Sequence, residues 1–168
     1  MLNALDGFAT GKRQERKQEI LTPPSILEFV RGVFGGHIAL DPCAAFDEHD
    51  CPRGEVRASV YYSPPVDGLV EPWHHRTYCN PPYKHLKKWL AKACAEADRD
   101  DAPAVIVLCP VRSHRSWWRQ ARNDANGFVL ELNPVTFVGY DATFPVPMVL
   151  LGYNCMPNEQ DTKLGEFL

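Results

Sequence analysis

Read for spacing alone, the chain is a series of short apolar runs set between polar and proline-rich stretches. Residues 1–20 are polar, with dense mixed charge from Gly11 to Glu19, and are expected to form a flexible arm ahead of a domain spanning 21–168. Thr22-Pro23-Pro24-Ser25 opens a helix in which Ser25 and Glu28 are spaced as a capping box. Ile26, Leu27, Phe29, Val30 and Val33 form its apolar face, and Gly35-Gly36 stops it. His37 to Leu40 reads as a short buried strand ending at Asp41. Residues 42–75 are rich in proline and acid with little periodicity, and connections of that length are usually functional.

Arg76 to Cys79 is a second short strand. From Lys84 to Arg99 the spacing is helical: Leu86, Trp89, Leu90, Ala93 and Ala97 share one face, and Lys84, Lys87, Lys88, Lys92 and Glu96 share the other. Ala104 to Cys109 is continuously apolar, the pattern of a parallel strand covered on both faces. A helix over Ser113 to Arg122 carries Trp117 and Trp118, and strands over Phe128 to Leu132, Val135 to Tyr140 and Met148 to Tyr153 close the chain. Strand–helix alternation followed by closely spaced strands predicts an α/β fold, mostly parallel with antiparallel C-terminal strands. Ligands of such sheets sit beyond the carboxyl ends of the strands, where Asp41-Pro42 and Asn80-Pro81 both fall.

Composition narrows the choice. A chain of 168 residues with 45% hydrophobic and 23% charged positions is one ordinary globular domain, neither disordered nor fibrous. It has no apolar run near the ~20 residues of a membrane span and no apolar leader, so a soluble, cytoplasmic protein is expected. A net charge of −3 excludes a wholesale polyanion binder but not a local basic face. Six cysteines form no C-x-x-C pair and are expected to be reduced. Cys43, His49, Cys51, His74, His75 and Cys79 match no standard ligand spacing, and no metal is expected.

The most specific chemical signal is Asn80-Pro81-Pro82-Tyr83 between a strand and a helix. Two prolines lack N–H groups and have fixed φ, so carbonyls can be aimed rigidly. Asn80 Oδ1 and the Pro81 carbonyl can accept hydrogen bonds from an exocyclic amine while Tyr83 stacks on its ring. Such acceptors keep the nitrogen lone pair out of the ring and point it at an electrophile. The plain alternative is a strand-to-helix turn with proline at the helix start.

The wider order of motifs resembles the phage-type DNA N6-adenine methyltransferase (Dam) family. The residues that carry the resemblance are Thr22-Pro23-Pro24, Phe34-Gly35, Leu40-Asp41-Pro42-Cys43-Ala44, Asp67-Gly68-Leu69 and Trp73. Cys79-Asn80-Pro81-Pro82-Tyr83, Leu108-Cys109-Pro110 and Trp117-Trp118 follow in the same order, so the resemblance covers about residues 21–153. It implies a compact Rossmann-like methyltransferase fold, S-adenosyl-L-methionine (SAM) as donor, and adenine N6 in DNA as acceptor, in the cytoplasm of a bacterial or phage-infected cell. By the same resemblance Thr22, Pro23, Asp41, Pro42, Cys43, Ala44 and Asp67 line the SAM site, and Asn80, Pro81, Pro82 and Tyr83 hold the amine. The chain lacks the G-x-G loop that most SAM-dependent enzymes place after the first strand, having Asp41-Pro42-Cys43-Ala44-Ala45 instead.

DNA would be met by two basic clusters. One is Lys84, Lys87, Lys88 and Lys92; the other is Arg112, His114, Arg115, Arg119 and Arg122. Phosphate contacts of this kind position without specifying sequence. Within duplex DNA the adenine has to be flipped out. Readers of the recognition sequence include the 112–127 segment, the N-terminal arm, or a second subunit of a homo-oligomer. N4-cytosine methylation, protein glutamine methylation, and a nucleic-acid-binding protein that has lost turnover are the alternatives. Asparagine rather than serine at position 80 leans toward adenine.

Overall fold

The two continuous apolar runs, at 105–110 and 148–153, lie side by side in the interior of a single sheet. The structure, a computed structural model, describes residues 20–168, so the expected arm falls outside the described residues except for Ile20. Six strands, β1 Leu40–Asp41, β2 Val60–Tyr61, β3 Thr77–Cys79, β4 Val105–Pro110, β5 Phe128–Glu131 and β6 Met148–Tyr153, are ordered β2-β1-β3-β4-β6-β5. The first four are mutually parallel, and β6 runs antiparallel to both of its neighbours, β4 and β5. The chain is therefore mixed α/β with a mostly parallel sheet, as the alternation predicts.

Helices α1 Pro24–Val33, α2 Leu86–Ala97, α3 Ser116–Asp124 and α4 Glu159–Gly165 cover the sheet, and a short 3₁₀ turn, Tyr83–His85, leads into α2. Side chains alternate across the sheet as its pleat requires. Tyr78, Ile106, Leu108, Met148 and Leu150 face Leu27, Phe29 and Val30 of α1. Cys79, Val105, Val107, Val149 and Leu151 face Leu90 of α2 and Trp118 of α3. The result is three layers, α1 with α4 on one face and α2 with α3 on the other.

Several expectations need correction. Helix α1 begins at Pro24 with Pro23 as its N-cap and no side-chain cap, so the Ser25–Glu28 capping box does not form. Proline supplies the fixed φ of the first turn and has no N–H there to satisfy. Val135 to Tyr140 is not a strand: β6 occupies the place beside β5, and only Val138 pairs, with Leu21, as an isolated bridge. Edge strand β2 and helix α4 escape the periodicity. Two-residue β2 exists because β1 offers it a ladder, and α4 is started by a capping box between Asn158 and Asp161.

Glu96 is the clearest misassignment, because it is buried rather than on the solvated face of α2. It accepts from the Trp73 N–H at 2.9 Å and pairs with Lys92 and Arg99, each at 2.5 Å. Burial pushes its carboxyl up, but hydrogen bonds from Lys92, the Trp73 N–H and Arg99 outweigh this and hold it below the usual range. Arg99 also donates to the Trp73 carbonyl at 2.9 Å, so the cluster fixes the segment entering β3. Lys92 is thereby committed to the fold; it also donates to the Val70 carbonyl. Glu96→Ala, which leaves two cations without their shared partner, is expected to cost about 2 kcal/mol in urea unfolding. An unchanged midpoint would show the cluster to be energetically idle.

Candidate active site

Parallel neighbours end at the same edge of a sheet, so β1 and β3 deliver Asp41 and Asn80 to one rim. A cavity of about 610 Å³ opens there. Its wall includes Thr22, Asp41, Pro42, Cys43, Ala44 and Asp67 together with Asn80 and Pro82. Six of the seven expected donor-site residues and half of the Asn-Pro-Pro-Tyr motif thus share one space. Pro23 caps α1 and does not line it; Pro81 is buried, and Tyr83 reaches the wall only through Asn80.

The Asn80 side chain is held from both ends. Its Nδ2 donates to the Ile20 carbonyl at 2.6 Å and to Thr22 Oγ1 at 3.2 Å, while its Oδ1 accepts from the Tyr83 hydroxyl at 3.2 Å. This arrangement fixes which end of the amide is oxygen, and leaves Oδ1 a second lone pair for an incoming donor. Thr22 Oγ1 lies 2.8 Å from the buried Tyr78 hydroxyl, so the start of α1, strand β3 and the motif are tied together. Burial drives the Tyr83 and Tyr78 hydroxyls well above their ordinary range, and both stay protonated. The Tyr83 ring meets Phe144 edge-to-face, with centroids 5.6 Å apart.

Asp41 is buried, with 7% of its surface exposed. Burial raises its pKa from 3.8 to about 7, against the opposing hydrogen bonds from the Cys43 N–H and thiol. Cys43 Sγ lies 3.5 Å from Cys79 Sγ and 3.3 Å from the Asn80 carbonyl, and burial keeps both cysteines as thiols. Asp67 is exposed on the cavity wall, and its Oδ1 accepts from the Leu69 N–H at 2.9 Å. It thus forms the Asp-Gly turn and lines the cavity at once. Gly68 makes this possible: a Cβ there would collide with the Pro42 carbonyl oxygen, and its own carbonyl accepts from Trp73 Nε1 at 2.8 Å.

Against this geometry, a family model described as DNA N-6-adenine-methyltransferase (Dam) matches residues 10–143. The chain belongs to the Dam family. Comparison with curated proteins returned no match. The matched stretch contains both strand ends, the cavity wall and the basic segment after β4.

In this Dam-family chain the basic residues gather near the same rim. Lys84 follows Tyr83 directly, and Lys87 and Lys88 stand exposed in the first turn of α2. Arg112 follows the end of β4; burial lowers its pKa, and its charge is felt at Tyr83. His114, Arg115 and Arg119 are exposed, with Arg119 donating to the Ser113 carbonyl at 2.7 Å. Trp118 is core, whereas Trp117 is half-buried. Among the described residues, no three His, Cys, Asp or Glu side chains gather as a metal site, and no helix is long and apolar enough to cross a membrane.

The sequence did not single out the wall formed by Leu21, Arg53, Glu55, Val56 and Tyr62. Arg31 of α1 holds part of that wall by donating to the carbonyls of Glu55 and Val56. Gly68 was legible as part of Asp67-Gly68-Leu69, although its close approach to Pro42 was not.

Gly68→Ala must push the Asp67 turn away from Pro42. The expected outcome is a loss of about 2 kcal/mol in thermal or urea unfolding; unchanged stability would mean that the turn yields freely. For Asp41 the sign follows from its raised pKa: the unfolded chain releases this proton near pH 4 and the folded chain near pH 7. Stability therefore falls between those values and levels above them. Asp41→Asn cannot ionise and should flatten that slope, stabilising the unliganded protein at pH 8 by about 2–4 kcal/mol. Parallel pH profiles for the two proteins would refute this.

Proposed function

We propose that the chain is a SAM-dependent DNA N6-adenine methyltransferase, built on a Rossmann-like methyltransferase fold and acting in the cytoplasm on an adenine flipped out of its duplex. The observation that carries this is the single cavity that joins the Asp41-Pro42-Cys43-Ala44 strand end to Asn80 and Pro82. Its volume, about 610 Å³, lies in the range of small-molecule and cofactor sites. Its polar groups also suit the donor. The buried Asp41 carboxylate offers a partner to an ammonium, and Asp67 offers one to ribose hydroxyls. Ala44 and Ala45 supply the small surface that glycines give elsewhere.

When bound, SAM supplies an electrophilic methyl carbon on a positive sulfur. The protein's own work is alignment and exclusion of water. Asn80 Oδ1 and the Pro81 carbonyl accept the two N–H bonds of the adenine amine and turn its lone pair toward the cavity. Thr22 and the Ile20 carbonyl keep Asn80 from rotating. Tyr83, neutral and braced on Phe144, packs against the base. Methylation leaves the nitrogen with one proton too many, which departs to water. Arg112, His114, Arg115 and Arg119, with Lys84, Lys87 and Lys88, neutralise phosphates around the rim.

The decisive experiment incubates the full chain with plasmid DNA and methyl-labelled SAM, then identifies the modified base by mass spectrometry. N6-methyladenine is expected; N4-methylcytosine or no label with intact SAM binding would replace this function with another. Asn80→Ala should lower labelling by about a hundredfold or more while calorimetric SAM binding and the circular dichroism spectrum stay unchanged. Full activity in that variant would overturn the assignment of the motif.

A further inference from the structure

The chemistry above leaves two thiols at the cavity unused. Strands β1 and β3 are parallel neighbours in the register Leu40 to Thr77, which brings Cys43, just past the end of β1, to Cys79 at the end of β3. Their sulfurs lie 3.5 Å apart, and a bond between them needs a further approach of about 1.5 Å. Other thiols are engaged elsewhere: Cys94 donates to the Tyr153 hydroxyl and Cys155 to the Val105 carbonyl.

The two members of the pair are not equivalent. Cys43 is half-buried and lines the cavity, open to a small solute, whereas Cys79 is fully buried. Burial above all holds the Cys43 thiol well above its ordinary range, so its sulfur is a poor nucleophile until the proton is taken. A proton acceptor is in place. Asp41 accepts hydrogen bonds from both the N–H and the thiol of Cys43, the first at 3.1 Å. One sulfur thus faces the cavity beside a carboxylate, and a second is sealed within its reach. That is the layout of an attacking and a resolving thiol.

We propose that Cys43 and Cys79 form a peroxide-oxidisable pair whose disulfide lowers the affinity of the cavity for SAM. The coupling to SAM rests on the cavity being the donor site proposed above; formation of the bond does not. In the first step Cys43 Sγ attacks one oxygen of hydrogen peroxide while Asp41 takes the thiol proton. The O–O bond breaks, and the hydroxide released recovers that proton as water, leaving a sulfenic acid. In the second step Cys79 Sγ attacks the Cys43 sulfur and the S–O bond breaks. Hydroxide departs with the Cys79 proton as a second water. Two thiols together lose two electrons, and one peroxide gains them. The new bond withdraws the thiol from Asp41 and from the Asn80 carbonyl, 3.3 Å away, and draws the wall at Cys43 toward β3. A displaced wall fits the donor less well, and by linkage a bound donor opposes the bond.

The test treats the full chain, reduced and then freed of reductant, with hydrogen peroxide. Remaining thiols are alkylated, the disulfide is located by peptide mass spectrometry, and SAM binding is measured by calorimetry. A Cys43–Cys79 bridge is expected, reversed by dithiothreitol, with the Kd for SAM raised about tenfold while it lasts. Saturating SAM should slow its formation. In Cys79→Ala the sulfenic acid at Cys43 has no resolving thiol and should accumulate, to be captured by dimedone; wild type should yield little adduct. Should that variant not fold, the wild-type peptide map and calorimetry decide. No bridge, a bridge between another pair such as Cys79 and Cys109, or a bridge that leaves SAM affinity unchanged would overturn the proposal. A reduced chain that binds no SAM would overturn the donor reading of the cavity, and the switch with it, even where the peptide map shows the bridge.

Discussion

The site depends on one relay of hydrogen bonds. Tyr78 rises from the middle of β3 to meet Thr22; Thr22 reaches Asn80; Asn80 receives Tyr83. A free asparagine amide can present oxygen or nitrogen with equal ease, and only an environment with fixed donors and acceptors tells the two ends apart. Here the nitrogen faces an oxygen pair from the chain just before α1, and the oxygen faces a hydroxyl. The orientation of the key acceptor is therefore set by a segment some sixty residues earlier, which explains why the Thr22-Pro23-Pro24 stretch belongs with Asn80-Pro81-Pro82-Tyr83.

Charge follows the same logic of placement. Asp41 sits where burial makes ionisation costly, while Lys84, Lys87, Lys88, Arg115 and Arg119 are exposed to water that screens them. An acidic total of −3 is thus compatible with a nucleic-acid partner, because a local basic rim can exist within an acidic sum. Each buried acid has its own use: Asp41 lines the cavity, Glu96 meets Lys92 and Arg99, and Asp161 closes the capping box of α4.

Much of this was legible in the amino-acid order, for identifiable reasons. A run such as Ala104 to Cys109 admits few fates, and β4 lies within one residue of it; β6 coincides with Met148–Tyr153. The strand ends at Asp41 and Asn80 were legible because proline stops a ladder, and the cavity lies where a parallel sheet places ligands. The burial of Glu96 is hidden by its residue type and visible only in its position: seven residues beyond Trp89, it lies on the buried stripe. Val135 to Tyr140 alternates like a strand, yet alternation cannot say whether a partner is free. The Tyr83–Phe144 and Gly68–Pro42 contacts join distant segments and leave no local trace.

Strand β6 also bears on how the chain comes together. The stretch that matches the Dam model ends at residue 143, whereas β6 begins at Met148. Yet β6 is the partner through which β5 joins the sheet, and it contributes core side chains to both faces. The recognisable stretch consequently lacks one strand of its own sheet: the rim cannot close until β6 has joined β4 and β5. Loss of β6 would unmake a candidate site none of whose residues had been touched.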